Sequence, residues 1–99
     1  MSRPSLDDTI AIGPDVVFKE VGGEGVILDL ASGMYFGLDE SGTRLWALFQ
    51  SDGSLRHAYD MMLAEFEVEP DQLERDVIDF VDELTGSGLA TIVNSAPTP

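Results

Sequence analysis

The sequence contains no cysteine, few basic residues and no long apolar run. Without cysteine, disulfides, thiol nucleophiles and zinc-thiolate sites are excluded. The apolar stretches are far shorter than the roughly 18 residues that a transmembrane helix needs. No basic segment followed by an apolar stretch opens the chain, which argues against a signal peptide. We therefore expect a soluble, cytoplasmic protein that does not enter a membrane.

The charge is strongly one-sided, because 5 Lys and Arg residues stand against 19 Asp and Glu residues, a formal net charge of −14. Nucleic-acid binding depends on Lys and Arg side chains that displace counterions from phosphates, and the few basic residues here are scattered along the chain. This composition excludes nucleic acid as a partner. The acidity favours either a solubilising surface or the attraction of a basic partner, and both interpretations stay open.

The length of 99 residues is that of one domain with one core. Residues 1–15 contain two prolines and a glycine and are predicted to be a flexible arm, within which residues 9–12 can form a short strand. Residues 94–99 form a Ser/Pro tail that we expect to be disordered. The folded domain is therefore predicted to span residues 16–93.

Three short segments have the composition of β-strands. Residues 16–21 and 25–30 are mostly β-branched or aromatic and flank Gly22 and Gly23, which predicts a hairpin. A second turn signal precedes residues 34–38, a third strand with an aromatic centre. The prediction is a three-stranded antiparallel sheet in meander order.

Three helices follow this sheet in the predicted order. Asp39 or Ser41 caps the first, Ser54 caps the second, and Pro70 begins a third that runs to about residue 85. Residues 89–93 can add a final short strand. The fold class is thus α+β, with the winged helix-turn-helix-like arrangement of a three-stranded antiparallel sheet followed by three helices.

The sequence offers no convergent set of catalytic groups. His57, the only histidine, lies mid-helix beside an arginine and an alanine, where a surface or packing role is the simpler interpretation. Four carboxylates recur at helical spacing in the third helix and indicate a solvated face rather than a metal site: Asp76, Asp79, Asp82 and Glu83. The glycines of residues 22–25 lack the Lys-Ser/Thr pair of a P-loop. We expect no enzymatic activity, no metal and no cofactor.

The last strand of the predicted meander suggests a binding function instead. Its outer row of N–H and C=O groups is unpaired unless another segment covers it, and such an edge is a template for an incoming peptide strand. Met34, Phe36 and Leu38 share one face of this strand and Tyr35 takes the other, while Gly37 keeps the edge free of bulk. The alternative is that Phe36 and Leu38 simply fill the core.

The third helix provides a second candidate surface. Five residues form its predicted core stripe: Leu73, Val77, Phe80, Val81 and Leu84. Ile78 lies around the helix from the centre of this stripe, near the flank that Glu74 and Val81 occupy. We predict that Ile78 lines a groove.

Residues 26–90 resemble the PqqD-like family of leader-peptide recognition domains, also called RiPP recognition elements, from pathways that modify ribosomally made peptides. Residues 26–30 (Val-Ile-Leu-Asp-Leu) look like a strand of the family. Residues 33–39 (Gly-Met-Tyr-Phe-Gly-Leu-Asp) look like its Gly-x-Tyr-x-x-Leu-Asn/Asp turn into the first helix, which Leu45 and Trp46 follow. Asp76-Val77 and Gly88-Leu89 resemble the family's last helix and its end.

The resemblance implies a domain that binds a leader peptide as an antiparallel strand added to the third strand and clamped by the third helix. The implied peptide-binding residues are Leu28, Leu30, Met34, Tyr35, Phe36, Gly37, Leu38, Glu74, Ile78 and Val81. Among subfamilies, the chain is most similar to the stand-alone proteins of lasso peptide biosynthesis clusters. The implied partners are a precursor leader peptide and the leader peptidase, cyclase or other maturation enzymes that carry out the chemistry.

Two alternatives to this function remain. A pyrroloquinoline quinone-type peptide chaperone shares the architecture. A winged-helix interaction or regulatory module would share only the topology. The DNA-binding form of that module is disfavoured because the recognition-helix candidate, residues 70–85, has one arginine against six carboxylates.

Overall fold

A computed structural model of the chain describes residues 4–93. Its elements, in chain order, are β1 (Thr9–Ile12), β2 (Val16–Val21), β3 (Glu24–Asp29), β4 (Tyr35–Leu38), α1 (Glu40–Ser51), α2 (Leu55–Glu65), α3 (Pro70–Gly86) and β5 (Ala90–Val93). Strands β2, β3 and β4 form one antiparallel sheet in that order, and β1 pairs with β5 in a second. The predicted α+β class, with a three-stranded antiparallel sheet and three helices, is confirmed.

The turn between β3 and β4 depends on Gly33. Its φ of 76° lies in the left-handed region that side chains with a Cβ rarely adopt. The Gly33 N–H donates to the Asp29 carbonyl at 2.8 Å, and the Asp29 N–H donates to the Met34 carbonyl at 2.9 Å. These bonds close the hairpin and hold β4 as the outer strand of the sheet.

The helix starts follow the capping signals in the sequence. The Asp39 carboxylate accepts a hydrogen bond from the Gly42 N–H at 2.8 Å at the start of α1. The Ser54 hydroxyl accepts one from the His57 N–H at 3.2 Å at the start of α2. Pro70 occupies the first turn of α3, where its missing N–H costs no hydrogen bond. Each predicted helix therefore begins where a cap or proline places it.

The N-terminal segment is more structured than the arm predicted from the sequence. The short strand expected at residues 9–12 is present, and its partner is β5, with Thr9 opposite Val93 and Ile12 opposite Ala90. The segment also buries Leu6 and Ile10 in the core, which the sequence analysis did not predict. Two apolar side chains at this spacing anchor the segment through burial. The predicted tail, residues 94–99, lies outside the described residues.

The core lies between one face of the large sheet and the three helices. Trp46 of α1 is fully buried and stacks on Phe18 of β2, with ring centroids 6.2 Å apart. Ile27 of β3 is also fully buried on this face. Helix α3 packs on α2 and β5 and contributes Val77, among others, to the same core. Among residues 4–93, none of the helices combines the length and apolarity that a bilayer crossing requires.

Candidate functional site

The free edge of β4 presents two residues whose backbone groups point away from the sheet. The Asp29 N–H donates to the Met34 carbonyl, so the Met34 carbonyl points towards β3. Backbone groups alternate in direction along an antiparallel ladder, so Phe36 also directs its backbone groups towards β3. The N–H and C=O groups of Tyr35 and Gly37 therefore point outward. They form a row of two donors and two acceptors on an edge strand.

The side chains beside this edge leave it accessible. Apart from its two chain neighbours, no atom of residues 4–93 would lie within 4 Å of a Cβ at Gly37, so none of them covers the outer face of the strand there. The Tyr35 side chain is 73% exposed and stands on the outer face of the sheet. A second strand can therefore approach β4 without displacing a core side chain.

A groove of about 430 Å³ separates β4 from the C-terminal half of α3. Its lining is Ile27, Tyr35, Phe36, Gly37, Leu38, Phe80, Glu83, Leu84, Ser87 and Leu89. Apolar side chains of β3, β4, α3 and the segment before β5 make up most of this lining. The groove opens beside the row of backbone groups on β4, so a strand paired with β4 would place alternate side chains over it.

One face of α3 forms the helical wall of the groove. Phe80, Glu83, Leu84 and Ser87 recur at i, i+3, i+4 and i+7, the spacing of one helix face. Phe80 is half-buried and lies nearly parallel to Phe49 of α1, with ring centroids 6.3 Å apart. The wall is thus anchored in the core while part of the Phe80 ring faces the groove.

An acidic extension continues the groove past the end of β4. It encloses about 580 Å³ and shares Phe80 and Glu83 with the apolar part. Its complete lining is Asp39, Ser41, Gly42, Leu45, Asp76, Asp79, Phe80, Asp82 and Glu83. Among the described residues, the lining of the two parts includes five carboxylates and no basic side chain. The site is therefore apolar along β4 and negatively charged beyond Leu38.

The lining residues of the two parts also show the relative chain directions of β4 and α3. Along β4 the lining proceeds from Tyr35 to Leu38 and on to Asp39, whereas on α3 it proceeds back from Ser87 towards Asp76. Helix α3 and strand β4 therefore run in opposite directions along the groove. A peptide lying antiparallel to β4 would have its N-terminal end in the acidic part.

The structure brings four of the predicted peptide-binding residues to the apolar groove: Tyr35, Phe36, Gly37 and Leu38. Leu28 is opposite Tyr35 in the β3–β4 register and therefore lies on the outer face of the sheet. Met34 and Leu30 belong to the β3–β4 connection, where both are more than half exposed, and neither lines the groove. These three residues border the edge strand rather than the groove.

The predicted positions on α3 are not part of the groove wall. Val81 is fully buried and belongs to the core. Ile78 precedes Phe80 by two residues, which turns its side chain about 160° away at 3.6 residues per turn. Glu74 lies near Arg56 of α2 and is one of the weaker contributors to the raised pKa of Arg56, after the hydrogen bond with Asp7. Contact of these three α3 positions with a bound peptide therefore stays a prediction.

The α3 residues that line the groove were not predicted from the sequence as site residues. Phe80 and Leu84 were predicted to belong to the core stripe and Glu83 to a solvated face, and no role was predicted for Ser87. The i, i+3, i+4, i+7 spacing of these four residues was a usable signal. It is ambiguous in sequence because the same apolar stripe serves the core on one side and the groove on the other.

Among residues 4–93, two ion pairs lie away from the groove, of which one joins α1 to α2 and the other joins the segment before β1 to α2. Arg44 of α1 donates to the Glu65 carboxylate at the end of α2 at 2.8 Å, and Arg56 of α2 donates to Asp7 at 3.0 Å. The hydrogen bond from Arg44 holds the pKa of Glu65 below its usual value. Within residues 4–93, no group of three or more His, Asp or Glu side chains converges to hold a metal ion.

Comparison with known proteins agrees with this geometry. The sequence model of the family described as Coenzyme PQQ synthesis protein D (PqqD) matches residues 24–90. The chain belongs to the PqqD family. The matched segment of the PqqD family begins at β3 and ends at the start of β5, so it includes every residue of the groove. None of the curated protein sequences matches the chain.

Two solved structures share the fold. The structure of TbiB1 in complex with the TbiA(beta) leader peptide is 34% identical, with a TM-score of 0.76, and the match covers 87% of this chain and 98% of that chain. The structure of lasso peptide synthetase B1 complexed with the leader peptide is 25% identical, with a TM-score of 0.73, and the match covers 84% of this chain and 98% of that chain. Both structures thus match over nearly their whole length, and each is of a complex with a leader peptide.

Proposed function

We propose that this chain binds the leader segment of a ribosomally made precursor peptide by β-strand addition to β4, and presents it to a leader peptidase and other modifying enzymes in lasso peptide biosynthesis. The observation that carries the proposal is the open edge at Tyr35 and Gly37 beside an apolar groove. Two structural neighbours that hold leader peptides support it. Residues 16–93 are the proposed binding domain, and the cytoplasm, where precursors are synthesised, is the proposed location.

The register of the docked peptide follows from the backbone of β4. An antiparallel peptide residue opposite Gly37 can exchange two hydrogen bonds with it, and the residue opposite Tyr35 can exchange two more. The peptide residues opposite Leu38 and Phe36 then direct their side chains into the apolar groove. The leader is therefore expected to carry two apolar residues separated by one position.

The chain contributes binding rather than chemistry in this proposal. The groove is lined by apolar side chains, carboxylates and two serines, Ser41 and Ser87, and His57 of α2 is not among its lining residues. A serine nucleophile needs a base within hydrogen-bond reach. We therefore assign cleavage and ring closure to separate enzymes, a leader peptidase and a cyclase.

Titration of the ¹⁵N-labelled chain with the TbiA(beta) leader peptide tests the proposal. We expect the largest chemical-shift changes in Tyr35–Leu38 and in the groove face of α3, and we expect a scrambled peptide of the same composition to produce none. Shift changes confined to the opposite edge strand β2, or absent with every leader tried, would contradict strand addition on β4.

A pyrroloquinoline quinone-type peptide chaperone is the second candidate, and the family description favours it. This function would use the same groove with a different precursor. Parallel titrations with a lasso leader and with the pyrroloquinoline quinone precursor peptide separate the two. The proposal of lasso biosynthesis requires the lasso leader to bind more tightly.

A further inference from the structure

The acidic extension lies where an antiparallel peptide enters the groove. Asp39 follows β4 directly, and the carboxylates of α3 stand across from it in the same cavity. A peptide that pairs antiparallel with β4 extends past Leu38 with its N-terminal part. The peptide residues that precede the one opposite Leu38 therefore lie among these carboxylates. This placement rests on the strand addition proposed above.

Side-chain alternation fixes which peptide position faces the carboxylates. The residues opposite Leu38 and Phe36 face the apolar groove, so the residue two positions before the one opposite Leu38 points to the same side. That position lies beyond the end of β4, where the apolar lining gives way to Asp39, Asp76 and Asp82. A long cationic side chain there would reach several carboxylates, whereas an acidic one would be repelled.

From this geometry we infer that the peptide ligand carries a lysine or arginine two residues before the first of its two alternating apolar residues. The recognised pattern is basic, any residue, apolar, any residue, apolar, read from N- to C-terminus. The groove thus selects the direction and register of the peptide by charge as well as by shape. Charge complementarity supports this occupant, because the lining contributed by residues 4–93 contains several carboxylates and no basic side chain.

The test begins without any assumption about the natural leader. A phage-displayed library of random 12-residue segments is selected on the immobilised chain, and two synthetic peptides are then made from the enriched sequence. They have identical composition, with the single lysine on the N-terminal side of the apolar pair in one and on the C-terminal side in the other. Exposed charge pairs contribute modestly, so we expect about three- to five-fold tighter binding of the first peptide in fluorescence anisotropy.

Two double variants show whether the preference is local. Asp82→Asn with Glu83→Gln removes two of the five negative charges from the groove and should reduce the difference between the peptides. Glu20→Gln with Glu24→Gln removes two charges from the β2–β3 hairpin, outside the groove, and should preserve it. Because both variants change the net charge equally, the comparison separates local recognition from general attraction.

The outcomes separate this inference from the proposed function. Equal affinity of the two peptides, preference for the C-terminal lysine, or equal loss of the preference in both double variants would overturn the basic-residue rule while leaving strand addition intact. Failure of the library to yield any peptide that shifts the resonances of Tyr35–Leu38 would overturn the proposed function and the rule with it.

Discussion

Replacing Tyr35 with proline should weaken peptide binding while leaving the fold intact. The Tyr35 N–H points away from β3, so a proline there removes an edge donor and no hydrogen bond of the ladder. The tyrosine side chain is 73% exposed, so little core packing is lost. We expect a change of less than about 1 kcal/mol in the free energy of unfolding.

The magnitude of the binding loss follows from the edge geometry. The proline removes the bond donated by residue 35, and its ring crowds the reciprocal bond that the same residue accepts. At about 0.5–1.5 kcal/mol net for each hydrogen bond, the loss is roughly 1–3 kcal/mol, or about 5- to 150-fold in Kd. Isothermal titration calorimetry with the TbiA(beta) leader peptide measures this, and thermal unfolding monitors the fold.

Two control variants separate the backbone effect from other causes. Tyr35→Ala keeps the N–H and should lose far less affinity than Tyr35→Pro. Glu20→Pro places a proline on the opposite edge strand, where the same alternation directs the N–H outward, and should leave binding unchanged. If Tyr35→Pro folds and binds with wild-type affinity, β4 is not the docking strand. An N-methyl group on the peptide residue opposite Gly37 provides the same test without altering the protein.

Three further predictions address packing, charge and catalysis. Gly25→Ala should destabilise the fold by about 1–3 kcal/mol in chemical denaturation, because its methyl group would lie 2.4 Å from the Phe18 ring, whereas Gly37→Ala has open space and should be nearly neutral. Arg44→Gln should raise the pKa of Glu65, which an NMR titration measures, and an unchanged pKa would refute the pairing. Because the pKa of Glu65 is lowered in the native protein, the pair stabilises the fold at neutral pH and loses this effect as the pH falls through that pKa. Incubating a purified precursor with this chain alone should leave its mass unchanged, and any cleavage by the pure protein would contradict a binding-only function.

The architecture could be predicted from sequence because local signals were consistent with each other. Capping residues at 39 and 54 and the proline at 70 set the helix starts, and paired glycines set the β2–β3 hairpin. The N-terminal segment was harder to predict because Leu6 and Ile10 are anchored by contacts distant in sequence. Local composition in that segment resembles a flexible arm, and only the tertiary core shows why it is ordered.

The candidate site could be predicted only in part. Period-two alternation in a strand leaves two choices of face, and the glycine and aromatic residues predicted a binding edge at Tyr35 and Gly37. In the structure these two residues lie on an outer strand of the sheet, and their contact with a peptide stays a prediction. The helical wall needed the rotation of α3 about its axis, which depends on packing against α2 and β5 rather than on the α3 sequence itself. An apolar residue outside the expected stripe, Ile78, was therefore a weaker guide than Phe80 within it.

The pairing of β1 with β5 makes this domain suitable for insertion into another protein. Thr9 and Val93 stand opposite each other, so the start of β1 and the end of β5 are neighbouring points of the fold, roughly 5 Å apart. A domain moved into a surface loop of a host protein would have to include the segment before Thr9 as well, because Leu6 is buried in the core. An enzyme fused to the domain would have any peptide bound to the domain held close to its active site, at a high effective concentration.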